Sequence, residues 1–231
     1  WATPQVTVQE NFGDFDAPWR DALVAGWNPM QDGRYRLPDR PGLGITLDVM
    51  SAANRLAQMN GAAPVFEVTC VSTGPRRMVT GAGMEAGPLT PMRSVAAPDL
   101  IIVPGANHAT PAEIDAWLAQ ADTRRACAWL ATAAGAEVAA SCAGTFVLGA
   151  AGLLRGRLAT TSWWLAPHFR ERFPDVELDM DRMVVADGPV TTAGAALAQA
   201  DLMLALVARH GAAGLAQACA RYLMLDRLMS Q

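Results

Sequence analysis

One cysteine, Cys142, stands where residue types and spacing could support chemistry. It ends the apolar run AEVAASC (136–142), and Gly144 follows it at the start of a helical pattern over 143–154. A strand that turns sharply into a helix lifts the side chain at the turn above the sheet, beside the helix N-terminus, whose dipole favours a thiolate. The pattern therefore predicts a reactive or ligand-binding thiol, and the amides of Ala143 and Gly144 could hold an oxyanion or a ligand.

A second turn with available amides is predicted at the end of a neighbouring strand. The run DLIIVPG (99–105) is short and apolar, as buried parallel strands are. Because parallel strands end at a shared edge of the sheet, we expect Gly105 and Ala106 to lie near Cys142. His108 follows two residues later and could overhang the same pocket as a base or a ligand-orienting group, or it could cap the loop before the next helix.

The remaining cysteines and histidines favour structural roles. Cys70, Cys127 and Cys219 lie inside apolar periods, where free cysteine packs as a small hydrophobic residue. His168 is expected on a solvated helix surface, and His210 at the end of an apolar helix, where a cation complements the helix dipole. No His, Cys and Asp grouping has metal-ligand spacing, so we expect neither a metal nor another cofactor.

Composition favours a folded domain of the cytoplasm. Of the 231 residues, 52% are hydrophobic and 17% are charged, which suffices to bury a core. The net charge of −4 provides no basic surface for nucleic acid. No apolar run approaches the length of a membrane span, the N-terminus lacks a signal-peptide layout, and the widely separated cysteines indicate reduced thiols.

Strand and helix patterns alternate from residue 48 onward, which predicts a mostly parallel sheet covered by helices on both faces. The predicted strands are 64–72, 99–105, 136–142 and 157–161, with a strand pair in 176–194 that turns at Asp187-Gly188. The predicted helices are 48–60, one opening with the capping signature Thr110-Pro111-Ala112-Glu113, then about 122–134, 143–154, 162–173, 195–209 and 212–224.

The first fifth of the chain follows neither pattern. Residues 1–47 are rich in Trp, Pro, Gly and Asp, and their only alternating run is TPQVTVQ (3–9). We therefore predict an appended irregular segment, 1–47, followed by one domain, 48–231.

Four ordered blocks resemble the ThiJ/PfpI superfamily, whose fold is class I glutamine-amidotransferase-like. They are LIIVPG, ASCAGTFVLGAAGLL, RLATTSWW…FPDVELD and GPVTTAGAALAQADLMLALVARHGA. Over about 48–231 the chain is most similar to the N-terminal sensor domain of AraC-type transcriptional regulators. The resemblance implies an α/β fold, a flavodoxin-like three-layer sandwich.

The resemblance also implies site residues. Cys142 matches the family's elbow cysteine, which stands at the sharp turn between a strand and the following helix; we call this turn the elbow. Asp48 matches an acidic residue that leans toward that cysteine, and Gly105 with Ala106 matches a turn that supplies an oxyanion amide. Asp48 could equally be a helix N-cap before Val49.

This sequence departs from the family pattern at two positions where a histidine could act as the general base. PfpI-like proteases have a histidine where this chain has Ala143, and many regulator sensors have one where it has Ser162. A cysteine nucleophile needs a base within hydrogen-bond reach. Both positions that the resemblance assigns to a base are therefore occupied by residues that cannot serve as one.

Three functions follow as expectations. The first is a sensing domain for a small, nitrogenous ligand, forming a homodimer and reaching DNA only through a C-terminal part absent from these residues. The second is a cysteine-dependent amidase or isonitrile-hydratase-like enzyme. The third is a defective fusion without activity. No membrane partner is expected.

The first residues suggest how such a fusion arose. Residues 1–48 resemble the C-terminal tail of the mandelate racemase/enolase superfamily, with Glu10 matching a barrel-end acid. A tail without its barrel cannot assemble that active site, so we expect no such activity. The join near 44–48 would have replaced the sensor's first strand, and we predict that the run 3–9 or a partner chain refills its place.

Overall fold

The computed structural model describes residues 43–74, 77–79, 85–86, 88–95, 97–106, 108–133, 135–194 and 198–223. The described helices are α1 Leu43–Met59, α2 Pro111–Ala119, α3 Ala121–Thr132, α4 Gly144–Ala150, α5 Ala166–Arg172, α6 Ala198–His210 and α7 Leu215–Tyr222. The described strands are β1 Val71–Ser72, β2 Met78–Val79, β3 Glu85–Ala86, β4 Thr90–Pro91, β5 Leu100–Val103, β6 Glu137–Ser141, β7 Leu158–Ala159, β8 Glu177–Leu178, β9 Val184–Asp187 and β10 Val190–Ala193. Short 3₁₀ helices span Met92–Ser94 and Trp163–Leu165.

The central sheet has the strand order β5-β6-β10-β9. β6 pairs in parallel with β5 on one side and with β10 on the other, while β9 and β10 form an antiparallel hairpin. Gly188 and Pro189 form the turn of the hairpin, one residue beyond the predicted Asp187-Gly188, and Gly188 adopts a φ of 59° that its lack of a side chain permits. Smaller two-stranded pairs join β1 to β4, β2 to β3 and β7 to β8.

Alternate residues of the sheet face two separate cores. On β6, Val138 and Ala140 pack into a core with α2, α4 and α5 residues, whereas Ala139 packs into a core with α1, α6 and α7 residues. This alternation is the two-residue period of a strand covered on both faces. The predicted three-layer α/β sandwich with a mostly parallel sheet is therefore confirmed.

The first predicted strand is largely wrong. Of residues 64–72, only Val71–Ser72 form strand, and Glu67, Val68 and Thr69 are exposed. Their alternating pattern suits a strand, but a strand needs a neighbouring backbone to pair with, and the described part of the chain supplies one only for the last two residues.

Helix boundaries also differ from the prediction, for example at α1 and α4. α1 begins at Leu43 rather than at residue 48, so Asp48 lies in its second turn and the N-cap alternative is wrong. α4 ends at Ala150 rather than at 154, because Gly152 in the following turn has a φ of 77°, which a helix cannot continue. The predicted segment 1–47 lies outside the described residues up to position 42 and stays a prediction.

The capping signature at the start of α2 is confirmed. Thr110 Oγ1 accepts a hydrogen bond from the Glu113 amide, and Glu113 Oε2 accepts from the amides of Thr110 and Ala109 at 3.0 and 2.7 Å. These amide donors lower the pKa of the Glu113 carboxyl below its usual 4.5, because they stabilise the charged form.

This cap predicts a pH-dependent contribution to stability. Because the pKa of Glu113 is lower in the folded chain, its contribution is present above pH 4.5 and is lost as the pH falls through the folded value. Thermal melts of the native chain and Glu113→Gln should therefore differ most near pH 7 and converge below pH 4.5. Glu67→Gln, at an exposed position outside any cap, controls for the lost charge. A difference in melting temperature between the two chains that grows as the pH falls would contradict the role of Glu113 in the cap.

Candidate functional site

Cys142 occupies a strained bend between β6 and α4. Its φ is 51°, in the left-handed region that residues with a Cβ rarely adopt. The Cys142 amide donates to the carbonyl of Ala193 at the end of β10, at 2.9 Å, which ties the bend to the sheet. Strain of this kind costs stability and persists at ligand and catalytic sites when the surroundings enforce it. The predicted elbow geometry is present.

Two glycines allow backbone to pack against backbone beneath the bend. A Cβ on Gly144 would lie 2.7 Å from the Val103 carbonyl oxygen and 2.9 Å from that of Pro104. A Cβ on Gly105 would lie 3.0 Å from the Cβ of Cys142. The turn after β5 is therefore in direct contact with the elbow, which is the juxtaposition that the sequence predicted.

Two side-chain hydroxyls donate hydrogen bonds to Cys142, that of Ser162 to the sulfur and that of Thr161 to the backbone carbonyl. The buried Ser162 Oγ donates a hydrogen bond to Cys142 Sγ at 2.9 Å. The buried Thr161 Oγ1 donates to the Cys142 carbonyl at 3.1 Å. The sequence pattern indicated Ser162 but not Thr161, and the signal available for Thr161 was its position two residues after the short strand β7.

Further threonines extend this polar network. The Thr160 amide donates to Thr192 Oγ1 at 2.8 Å, and Thr145 Oγ1 donates to the Thr160 carbonyl at 3.3 Å. All three side chains are buried. Because buried polar groups are costly unless paired, the network fixes the segment after β7 against both α4 and β10.

The predicted oxyanion amides lie at the two turns. Ala143 and Gly144 are buried and Gly105 and Ala106 half-buried. The backbone hydrogen bonds of the described residues leave these four amides without a carbonyl partner. Amides at the start of a helix or turn can bind an anionic or carbonyl oxygen. Their use by a ligand stays a prediction.

His168 is not solvated, and that prediction is wrong. Only 15% of its side chain is exposed, and its Nε2 lies 3.0 Å from Asp115 Oδ1. The ring stacks on Phe146, with ring centroids 5.9 Å apart. Arg172 donates to the same Asp115 oxygen at 2.8 Å. The helix that carries His168 packs back onto α2 and α4, and the sequence pattern did not show this.

The other two histidines also have partners. The half-buried His108 ring lies against Trp117, with centroids 4.9 Å apart. His210 ends α6, as predicted, and its Nε2 lies 2.9 Å from Glu137 Oε2. The described contacts of His108 therefore do not bring it to Cys142, and its role as a base or ligand-orienting group stays a prediction.

Asp48 is half-buried on α1, and its approach to Cys142 stays a prediction. Nearby on the same helix, the buried Thr46 Oγ1 accepts a hydrogen bond of 2.7 Å from the buried Gln199 Nε2 on α6. The sequence pattern did not indicate this pair, which fixes the start of α1 beside the start of α6.

Two surface cavities lie away from the elbow. One, of about 440 Å³, is lined by residues at the amino ends of β5 and β6, including Asp99, Trp129 and Ala136. The other, of about 460 Å³, lies between α1 and α7, beside Leu56 and Tyr222. A cavity above Cys142 stays a prediction.

Cys219 is buried, whereas Cys70, Cys127 and Cys142 are half-buried, and Cys142 packs against the same core as Cys127. Burial raises the pKa of Cys70 and Cys127, and raises that of the fully buried Cys219 to about 11. Cys127 and Cys219 pack against the two cores, in agreement with the predicted packing roles.

The positions of the thiols predict an order of reactivity. With iodoacetamide near pH 7.5, Cys219 should be alkylated last, because burial raises its pKa to about 11 and a neutral thiol is a poor nucleophile. We expect Cys142 to be alkylated first, because it lies at the bend between β6 and α4, beside the start of a helix. Mass spectrometry of peptides from a time course measures each rate, and Cys142→Ser identifies the first product. Modification of Cys219 before Cys142 would contradict the elbow assignment.

No helix in the described part of the chain is long and apolar enough to cross a membrane. Likewise, the described residues contain no group of three or more His, Cys, Asp or Glu side chains that could hold a metal ion.

Fold and elbow together define an α/β sandwich protein with a cysteine at the carboxyl edge of its sheet. The family model described as DJ-1/PfpI matches residues 46–209, which is most of the chain. The chain therefore belongs to the DJ-1/PfpI family, and the ThiJ/PfpI resemblance is confirmed.

Individual relatives include both curated proteins and a solved structure. The "Uncharacterized protein in cpoL 5'region" of Streptomyces lividans is 33% identical over 128 residues, which cover 55% of this chain and 86% of that protein. The "HTH-type transcriptional regulator GlxA" of Rhizobium meliloti is 38% identical over 76 residues, 33% of this chain but only 23% of the regulator. An AraC family transcriptional regulator from Pseudomonas putida has a similar fold, with a TM-score of 0.61 at 22% identity over 79% of this chain and 92% of that chain.

Proposed function

We propose that the chain is a small-molecule-sensing domain of an AraC-type transcriptional regulator and that its ligand binds at the Cys142 elbow. Similarity to regulators in both sequence and fold supports this proposal. The acidic net charge of −4 is consistent with DNA contact through a helix-turn-helix part that these residues do not include. We further propose that the domain acts as a homodimer in the cytoplasm.

The observation that carries the proposal is the hydrogen-bond partner of the sulfur. Cys142 Sγ accepts from the buried Ser162 hydroxyl. The described contacts of all three histidines are made with other residues. A cysteine nucleophile is activated by a base within hydrogen-bond reach, and a hydroxyl is a poor base. The geometry therefore supports ligand binding better than turnover.

The ligand class follows from the groups at the elbow. A polarisable sulfur, a serine hydroxyl and the amides of Gly105, Ala106, Ala143 and Gly144 offer hydrogen bonds to a small ligand. Such a set suits a small ligand with a carbonyl, carboxylate or nitrile group. A nitrogenous ligand bearing one of these acceptors is the proposed class.

An enzyme remains the second candidate because the elbow itself is strained. A cysteine held at a φ of 51° at the start of a helix is the arrangement that nucleophilic residues at strand-to-helix turns use. This candidate is an amidase or an isonitrile-hydratase-like enzyme, with Asp48 as the polar partner of Cys142.

One screen separates the two candidates. The native chain and Cys142→Ser are melted with a panel of amides, nitriles, isonitriles and amino acids, and product formation is followed in parallel. The sensor proposal expects a compound that raises the melting temperature of the native chain without being consumed. Turnover that vanishes in Cys142→Ser would identify the enzyme, and a panel that neither binds nor reacts would count against both.

A further inference from the structure

The backbone of Cys142 is held on both sides of its strained bend. Its amide donates to the Ala193 carbonyl at 2.9 Å, and its carbonyl accepts from the Thr145 amide at 3.2 Å and from Thr161 Oγ1 at 3.1 Å. A residue with a Cβ keeps a φ of 51° only when its surroundings compensate for the strain. Of these three contacts, the one from Thr161 is made by a side chain. It is therefore the contact that a substitution can remove without changing the main chain.

The short strand β7 determines where Thr161 lies, and one edge of β7 pairs with β8. The carbonyls of Arg157 and Ala159 accept hydrogen bonds from the amides of Glu177 and Asp179, at 3.0 and 2.9 Å. Because backbone groups alternate between the two edges of a strand, the groups of Leu158 point to the opposite edge. That opposite edge faces the hairpin of β9 and β10.

Side chains of the hairpin hold this second edge of the segment. The Leu158 amide donates to Asp187 Oδ2 at 2.8 Å, and the Thr160 amide donates to Thr192 Oγ1 at 2.8 Å. Asp187 ends β9 and Thr192 lies in β10. Two side-chain acceptors therefore fix the position of β7 along the hairpin, and with it the position of Thr161.

The end of β10 anchors both Thr161 and the elbow. A Cβ on Gly194 would lie 3.2 Å from the Thr161 carbonyl oxygen, so the two backbones are in close contact. The preceding residue, Ala193, accepts the hydrogen bond from the Cys142 amide. Thr161 is 0% exposed, and a hydrogen bond shielded from water is stronger than one at the surface. The Thr161 hydroxyl therefore lies in a fixed place beside the Cys142 carbonyl.

We propose that Thr161 is a positioning residue that holds Cys142 in its left-handed conformation and so places the thiol at the elbow. Without the Thr161 hydroxyl, the Cys142 carbonyl keeps the Thr145 amide as a partner, and the bend relaxes toward an ordinary negative φ. In a relaxed bend the sulfur leaves its place beside Ser162 and the start of α4. This role deepens the proposed function, because a ligand at the elbow would meet the thiol in the held conformation.

Alkylation of the free chain with iodoacetamide tests the role. Thr161→Val keeps the shape of the side chain and removes the hydroxyl. We expect it to slow alkylation of Cys142 about fivefold, the shift in equilibrium that one hydrogen bond of ordinary strength represents. Cys127 packs against the same core and provides the reference within each chain, so its rate should not change.

Two further variants separate positioning from a general loss of packing. Thr161→Ser retains the hydroxyl and should restore the native rate of Cys142. Thr191→Val is the matched control, because Thr191 is buried in β10 and its hydroxyl has no hydrogen-bond partner within the part of the chain that the structure describes. An unchanged or faster Cys142 rate in Thr161→Val would overturn the proposal, as would equal slowing in the control or at Cys127.

Nuclear magnetic resonance of the isotopically labelled native chain provides a test without any variant. A positive φ brings the amide and α protons of a residue closer together than helical or extended values do. The native chain should therefore show a strong contact between these two protons of Cys142, and Thr161→Val should weaken it. A weak contact in the native chain would overturn the proposal.

Neither measurement uses a ligand, so this proposal and the sensor proposal can fail separately. Slower alkylation of Cys142 in Thr161→Val supports the positioning role even if every compound in the ligand screen fails to bind. Conversely, a compound that binds without being consumed would support the sensor even if Thr161→Val left the Cys142 rate unchanged, and that unchanged rate would still overturn the role of Thr161.

Discussion

Replacement of Phe146 by alanine is expected to reduce the free energy of unfolding by about 3–5 kcal/mol, the range for a fully buried phenylalanine. Phe146 lies in α4, four residues after Cys142, and its ring is 0% exposed. It meets the Phe169 ring edge-on at a centroid distance of 4.8 Å and stacks with His168. Truncation would leave a cavity between α4 and α5, the two helices that flank the elbow.

Urea unfolding followed by tryptophan fluorescence measures this loss. Trp163→Ala is the matched control, because that ring is larger but 74% exposed, and its truncation should change stability by no more than about 0.5 kcal/mol. Unfolding of the Trp163→Ala control is followed by circular dichroism, because this substitution removes one of the fluorescent tryptophans. Equal losses in the two variants would contradict the packing of α4 described here.

Replacement of Gly144 by alanine should destabilise the chain by about 1–3 kcal/mol through overpacking. The added methyl carbon would lie 2.7 and 2.9 Å from the carbonyl oxygens of Val103 and Pro104. Both obstacles are backbone atoms, so relief requires that the turn after β5 move away from Cys142. The variant should therefore also alter the alkylation rate of the Cys142 thiol.

The control for this substitution is Gly74→Ala. Gly74 is exposed and a Cβ there would meet no atom within 4 Å, so its stability should stay within about 0.5 kcal/mol of the native value. If Gly144→Ala were as stable as Gly74→Ala, the close contact between the two turns would be wrong.

Local sequence patterns correctly predicted the elements that are determined by residues close together in the sequence. The apolar runs of β5 and β6, the cap at Thr110 and the turn at Gly188 all depend on residues within a few positions of one another. The same locality explains the failure at 64–72, where an alternating pattern is necessary for a strand but a partner backbone decides whether one forms.

The contacts that complete the elbow could not be predicted in the same way. Thr161 and Ser162 reach Cys142 from about twenty positions away, because β7 delivers them to the carboxyl edge of the sheet. The partner of His168 is similarly distant, since Asp115 lies on another helix. Such pairs arise from tertiary packing, and they leave no periodic pattern in the sequence from which they could be predicted.

The claim that the elbow is the ligand site is tested most directly by protection of its thiol. A compound that raises the melting temperature of the chain is added at saturation, and alkylation of Cys142 and Cys127 is followed by mass spectrometry. We predict that the compound slows alkylation of Cys142 at least about tenfold, as occupancy near 90% requires, and leaves Cys127 unchanged. A stabilising compound that leaves the Cys142 rate unaltered would show that the ligand binds elsewhere.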